Sequence, residues 1–221
     1  MQRFTLIHDG SKQGWQAAYL AFYVAAQLGA PLQVLMVISN SDTNTLAKRA
    51  AQVEVGGHAA GVAITTQTIA EFSINAVAEA SSKSNGLFVP SRLISDKKTA
   101  RDFLEVLSCP LWLVSKESET NGIAMLAGNP IVEETMINYA IALSHRIQQP
   151  LNGFVLESEF AHFKKTNSEV AWHQLPDFSP PTVSTVLKQV NVSLLILPLA
   201  RFSISDELSF NCVIYPVDRD A

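Results

Sequence analysis

A chain of 221 residues, 48% hydrophobic and 16% charged, lies on the apolar side of the globular class, which excludes a disordered segment. Its formal net charge of −4 comes with scattered basic residues, so it carries no electrostatic footprint for a phosphate backbone, and nucleic acid is not an expected partner. Two cysteines do not make a disulfide framework, and the most apolar stretch, residues 17–30, is too short to span a bilayer. Together with an N-terminus that runs straight into an apolar strand, these features give the expectation of a cytoplasmic protein without a membrane partner.

In chain order, residues 4–8 form a short apolar run ending in Asp9-Gly10-Ser11, read as a buried strand and a turn. A helix is predicted over 14–28, with Trp15, Ala18, Tyr19, Phe22, Ala25 and Ala26 at helical spacing and with Gly29 and Pro31 as its stop. Leu20, Val24 and Leu28 are apolar on its other side, so it is expected to pack against more than its own sheet. A strand over 32–38, a helix over 43–56 closed by Gly56-Gly57, a strand over 63–68 and a helix over 73–83 come next. Residues 86–90, 99–107 and 110–114 read as strand, helix and strand. The polar run 116–122 is the linker.

The second half repeats this order in shorter form. Strands are predicted over 123–127, 151–156, 170–174, 192–198 and 212–217, with helices over 131–147 and 182–190. Pro130 at the first helical position, followed by Glu133 and Glu134, makes a well-formed helix start, while 157–168 carries a weaker helical pattern.

The halves also match residue by residue. With a constant offset of 119, Leu6-Ile7 falls on Met125-Leu126, Asp9-Gly10 on Gly128-Asn129, Ala21 on Ala140, Leu28 on Ile147 and Pro31-Leu32 on Pro150-Leu151. Leu87-Phe88-Val89-Pro90 matches Leu195-Ile196-Leu197-Pro198, and Cys109 to Trp112 matches Cys212 to Tyr215. The expectation is therefore two tandem domains, 1–116 and 122–221, each large enough for its own core. Apolar strands alternating with helices predict an α/β fold, a parallel sheet with helices on both faces.

The strand ending in Asp9-Gly10-Ser11, the Ala-rich helix, Gly29-Ala30-Pro31-Leu32, the strand ending Leu35-Met36-Val37 and the last strand opening Cys109-Pro110-Leu111-Trp112 together resemble the universal stress protein family. The resemblance covers essentially the whole chain as a tandem pair. It implies two five-stranded parallel sheets of the adenine nucleotide alpha hydrolase-like kind, paired through their fifth strands within one chain. One branch of that family binds ATP through an Asp after the first strand, a Val ending the second, and a glycine-rich phosphate loop after the fourth.

Asp9 and Val37 stand at the first two of those positions. The third departs: residues 90–100 contain no glycine, and the first loop glycine falls on Pro90, which has no N–H to donate. Gly128 replaces the Asp in the second copy, where Leu199-Ala200-Arg201-Phe202 also lacks the loop. The second copy is thus expected to have kept the framework and lost the polar residues a ligand would need.

Each candidate residue has two readings. Asp9 contacts a nucleotide at the carboxyl ends of the strands, or caps the turn that comes after it. Arg92, Lys97, Lys98 and Thr99 form a glycine-free phosphate site at the start of a helix with Asp96 as its N-cap, or belong to a solvated loop. Cys109 and Cys212 are a redox pair, or small hydrophobes at the head of apolar strands. His8, His58, His145, His162 and His173 show no ligand spacing, so no metal is expected; His8 lies on the rim beside Asp9.

No nucleophile elbow, Walker A loop or dinucleotide fingerprint occurs, and no enzyme is expected. The leading expectation is a stress-response binding and interaction module without family-type ATP binding, forming a homodimer and meeting an unidentified protein partner. The alternative is an ATP binder using Asp9, Val37, Arg92, Lys97, Lys98 and Thr99 of the first domain, with weak ATPase activity. A third class, an enzyme or flavin-binding subunit of the same broad α/β type, is distinguished by a coloured preparation.

Overall fold

The structure, a computed structural model, describes residues 3–38, 43–94, 96–107, 109–115, 121–129, 133–166, 168–202 and 210–216. The chain divides into two compact units, Met1–Glu117 and Ser118–Ala221. Both are α/β.

The first unit runs β1 (Phe4–His8), α1 (Lys12–Leu28), β2 (Leu32–Val37), α2 (Thr43–Ala59), β3 (Ile64–Ile69), α3 (Ile74–Ser81), β4 (Leu87–Pro90), a 3-10 turn at Ser91–Leu93, α4 (Lys97–Leu107) and β5 (Leu111–Val114). The strands lie in the order β3-β2-β1-β4-β5, each neighbouring pair parallel, with Phe4 opposite Leu32, Thr5 opposite Leu87, Leu32 opposite Ile64 and Leu87 opposite Leu111. Right-handed crossovers that step from β1 to β2 to β3 put α1 and α2 on one face; the return to β4 and on to β5 puts α3 and α4 on the other. In agreement, α1 packs on α2, and α3 on α4.

Every residue of β1, β2, β4 and β5 is buried, as strands covered on two faces must be, whereas the outer strand β3 exposes Thr65, Gln67 and Thr68. Against the sheet α1 turns Ala17, Ala18, Ala21 and Ala25, all fully buried, and these short side chains let the helix approach closely. Large groups fill the rest: the Phe88 ring lies 4.7 Å from Trp112 and 5.8 Å from Phe4. Truncating a ring such as Phe88 to Ala would cost about 3–5 kcal/mol.

One expected boundary is corrected. Gly56-Gly57 does not close α2, which continues to Ala59. The reason is packing, since a Cβ on Gly57 would run into the Ile64 side chain of β3; the glycine pair lets the helix cross close to the sheet.

The second unit runs β6 (Ile123–Leu126), α5 (Glu134–Ile147), β7 (Leu151–Leu156), α6 (Phe160–Thr166), β8 (Ala171–Leu175), α7 (Pro180–Gln189), β9 (Leu194–Pro198), a 3-10 turn at Leu199–Arg201 and β10 (Asn211–Tyr215). Its order, β8-β7-β6-β9-β10, repeats that of the first unit, again with parallel neighbours. The offset of 119 carries β2 onto β7 residue for residue and the last residue of α1 onto the last of α5. Pro130, expected at the helix start, lies outside the described residues. Among the described residues, no helix is long and apolar enough to cross a membrane.

Candidate functional site

In the first unit β1 lies between β2, reached through α1, and β4, reached by the return crossover, so the strand order reverses between β1 and β4. At the carboxyl ends of such a pair, open α/β sheets leave a crevice in which ligands bind. Asp9 stands just past β1 and Arg92 in the turn after β4, both at these strand ends.

These two are bonded to each other. Oδ2 of Asp9 accepts from Nε of Arg92 at 2.7 Å and also from its Nη2. Oδ1 accepts from the backbone N–H of Ser11 at 3.0 Å and from its hydroxyl at 2.6 Å. An ionised carboxylate offers about four acceptor positions, and all four are taken. Gln13 fixes the arginine from the other side, its Oε1 accepting from the backbone N–H of Arg92 at 3.2 Å.

The local backbone is built around this carboxylate. Gly10 adopts φ +78°, a left-handed conformation that favours glycine, and turns the chain so that Ser11 N–H points back to Asp9. Ser11 then caps α1, its hydroxyl accepting from the N–H of Gly14 at 3.0 Å. A Cβ on Gly14 would stand 2.6 Å from Oδ1 of Asp9, so only glycine lets the first turn of α1 approach the acid. Asp9 therefore does cap its turn, and holds Arg92 as well.

Burial alone would push the Asp9 carboxyl up, but the hydroxyl and N–H of Ser11 and then Arg92 outweigh it and hold the group below the usual carboxylate range. His8, fully buried beside it, behaves in the opposite way. Burial lowers its pKa to about 4, with the Asp9 charge opposing and Arg49 of α2 adding to the shift. The ring is therefore neutral at pH 7, accepts the Gly10 N–H at Nδ1 (3.2 Å), and meets the Trp15 ring edge-on at 4.5 Å.

The remaining candidates lie on β2 and α4. Val37 is the buried last residue of β2, in register with Ile69. Lys97 and Lys98 are exposed at the start of α4, where the Asp96 carboxylate accepts from both the N–H (2.8 Å) and the hydroxyl (2.7 Å) of Thr99. These bonds hold the Asp96 carboxyl below its usual range. The anion that a helix N-terminus attracts is thus supplied by the chain itself.

The second unit contains a polar cluster that the repeat conceals. Gly128, where the first unit has Asp9, gives its N–H to Oε2 of Glu133 at 2.6 Å, and Glu133 is buried. Arg201, in the turn after β9, lies so close to Gly128 that a Cβ there would overlap its guanidinium, which also sits 3.7 Å from the centre of the Phe178 ring. Burial raises the Glu133 carboxyl, while the N–H groups of Gly128 and Asn129 and the charge of Arg201 oppose the rise. The expectation that this copy lost nearly every polar residue is corrected: an acid and an arginine are present, the acid moved from the turn to the start of α5.

Cys109 and Cys212 are both buried and in no disulfide, and burial pushes the Cys109 thiol up to about 12. A thiol so rarely ionised is a poor nucleophile, in keeping with the packing reading. His173 bonds Asn152 at 3.0 Å and stacks on Phe154, while His145 pairs with Glu169 at 3.4 Å. Among the described residues, no group of three or more His, Cys, Asp or Glu could hold a metal ion.

These features define a class: a tandem doubly wound α/β protein whose two units each keep an acid and an arginine near the strand ends. No protein-family model matches the chain, and no curated protein matches it by sequence. Solved structures do. A universal stress protein from Archaeoglobus fulgidus DSM 4304 aligns with TM-score 0.73 at 12% identity, covering 97% of this chain and 98% of its own. A putative universal stress protein from Pseudomonas aeruginosa UCBPP-PA14 gives 0.69 at 12%, over 99% and 94%. The cytoplasmic domain of a prokaryotic cation chloride cotransporter gives 0.57 at 14%, over 96% and 94%. The chain has the universal stress protein fold over nearly all of its length.

Proposed function

We propose that the chain is a cytoplasmic stress-response protein that acts by binding protein partners, without ATP binding of the family's usual kind and without catalysis. The observation that supports this reading is the Asp9 carboxylate, whose four acceptor positions are filled by Ser11 and Arg92. Pro90 in place of a loop glycine removes a backbone donor from the same crevice. On this reading the two units pair through their fifth strands, β5 and β10, as the family resemblance implies. The whole chain then forms a homodimer.

Native mass spectrometry of the freshly purified protein tests it. The expected spectrum holds the polypeptide alone, and a retained adenine nucleotide contradicts the reading.

A second reading, an ATP binder with weak ATPase activity in the first unit, is favoured by one observation. The Arg92 side chain is 51% exposed, so a phosphate could draw it from Asp9 while Val37, Lys97, Lys98 and Thr99 complete the site. It requires that Asp9→Ala and Lys97→Ala each weaken ATP binding, and unchanged affinity in both variants removes it.

A further inference from the structure

On the outer side of the sheet, α1 and α2 border an open cleft of about 450 Å³ lined by Trp15, Tyr19 and Phe22 of α1 and by Gln52 and Gly56 of α2. The volume lies within the roughly 300–1,000 Å³ usual for small-molecule sites. Its lining residues recur at spacings of three and four, so each helix gives the cleft one face.

The wall from α1 is aromatic. Phe22 is buried at its base, Trp15 is braced from behind by the edge of His8, and Tyr19 stands 58% exposed at the mouth, unusually open for so large a ring. Gly56 keeps the space free, since even a methyl group there would come within 3.1 Å of Phe22. Arg49 stands one turn before Gln52 on the same face of α2, about 4.5 Å along the axis, with its guanidinium against Gly10.

Among the described residues, no carboxylate lines the cleft. The one acid of α2, Glu54, is engaged elsewhere, accepting from the hydroxyl of Thr66 on β3 at 2.9 Å, and α1 has no acid at all. An aromatic wall, one amide and a cationic end together select a flat, apolar body with a negative substituent. We propose that this cleft binds a small planar aromatic molecule with a single anionic group attached directly to its ring system, unlike a nucleotide, its ring against Trp15 and Tyr19, its polar edge on Gln52 and its anion towards Arg49. The cleft shares no lining residue with the Asp9–Arg92 pair, although Arg49 reaches Gly10 beside Asp9, and the inference goes beyond the function proposed above.

Two fluorescent probes of the same ring system test it: 8-anilinonaphthalene-1-sulfonate, and N-phenyl-1-naphthylamine, which lacks the sulfonate. Saturable binding of one sulfonate per chain is expected. Arg49→Gln weakens the sulfonate at least about tenfold, as loss of a charged hydrogen bond would, and leaves the neutral amine unchanged. Gln52→Trp, at an exposed position, fills the cleft and abolishes both, with circular dichroism showing that the variant is folded; Arg92→Ala changes neither. Absence of saturable binding, equal weakening of both probes by Arg49→Gln, or full binding to folded Gln52→Trp overturns the proposal.

Discussion

Replacing Arg92 with Ala removes two of the four donors that hold the buried Asp9 carboxylate. Because half of the arginine is exposed, water makes good part of the loss, and the expected destabilisation in urea denaturation at pH 7 is about 1–2 kcal/mol. The sign with pH is set by the depressed native carboxyl. Its stabilisation is present above the unfolded pKa and is lost as pH falls through the folded one, so variant and wild type converge in acid. His8 acts in a higher window. With a folded pKa of about 4 against 6.5 unfolded, the unfolded chain takes up its proton first, so stability falls as pH drops from 6.5 to 4 and levels off below, by about 3 kcal/mol in all. His8→Gln is expected to flatten that window in pH-dependent denaturation; an unchanged slope would sink the assignment. At this scale the sequence shows Asp9 and Arg92 as separate candidates, and nothing local reveals that residues 83 apart bond each other. Glu133 and Arg201 are harder to see, because a register match looks for an acid at Gly128. The available signal is an arginine two or three residues after the Pro that ends the fourth strand, present in both copies.

Elements carry the repeat better than residues do. Gly29 ends α1 at φ +59°, and its equivalent Gln148 ends α5 at φ +55°, so the left-handed cap has survived although its glycine has not. The Gln148 N–H still reaches the Ser144 carbonyl, and the Ser144 hydroxyl bonds the carbonyl of Gln149 at 2.6 Å. Glutamine carries a steric penalty there that glycine avoids, so Gln148→Gly is expected to stabilise the protein by about 0.5–1 kcal/mol in chemical denaturation. A loss of stability would show that the glutamine side chain contributes more than the strain costs. The long strands and α1 are legible because their apolar periodicity and their stops agree. α2 is legible at its start only, since a glycine pair reads as a terminator unless Ile64 is known to lie against it.

For the whole molecule, universal stress proteins share the fold at 12% identity while no family model matches, since buried apolar strands and turn geometry can set one fold with few identical residues. Tandem order is legible in the sequence because the offset of 119 carries the stretch from β1 to β2 onto that from β6 to β7 without a gap. Self-association is expected from the proposed binding role and from Val55, which is 69% exposed on α2. Gel filtration across a wide concentration range is expected to give a dimer, and a strict monomer throughout contradicts it. The closed strand ends of the first unit are tested most directly by isothermal titration of Mg-ATP into the intact chain. An Asp9 carboxylate already saturated by Ser11 and Arg92 predicts no saturable heat up to millimolar nucleotide; saturable micromolar binding that disappears in Asp9→Ala would contradict it.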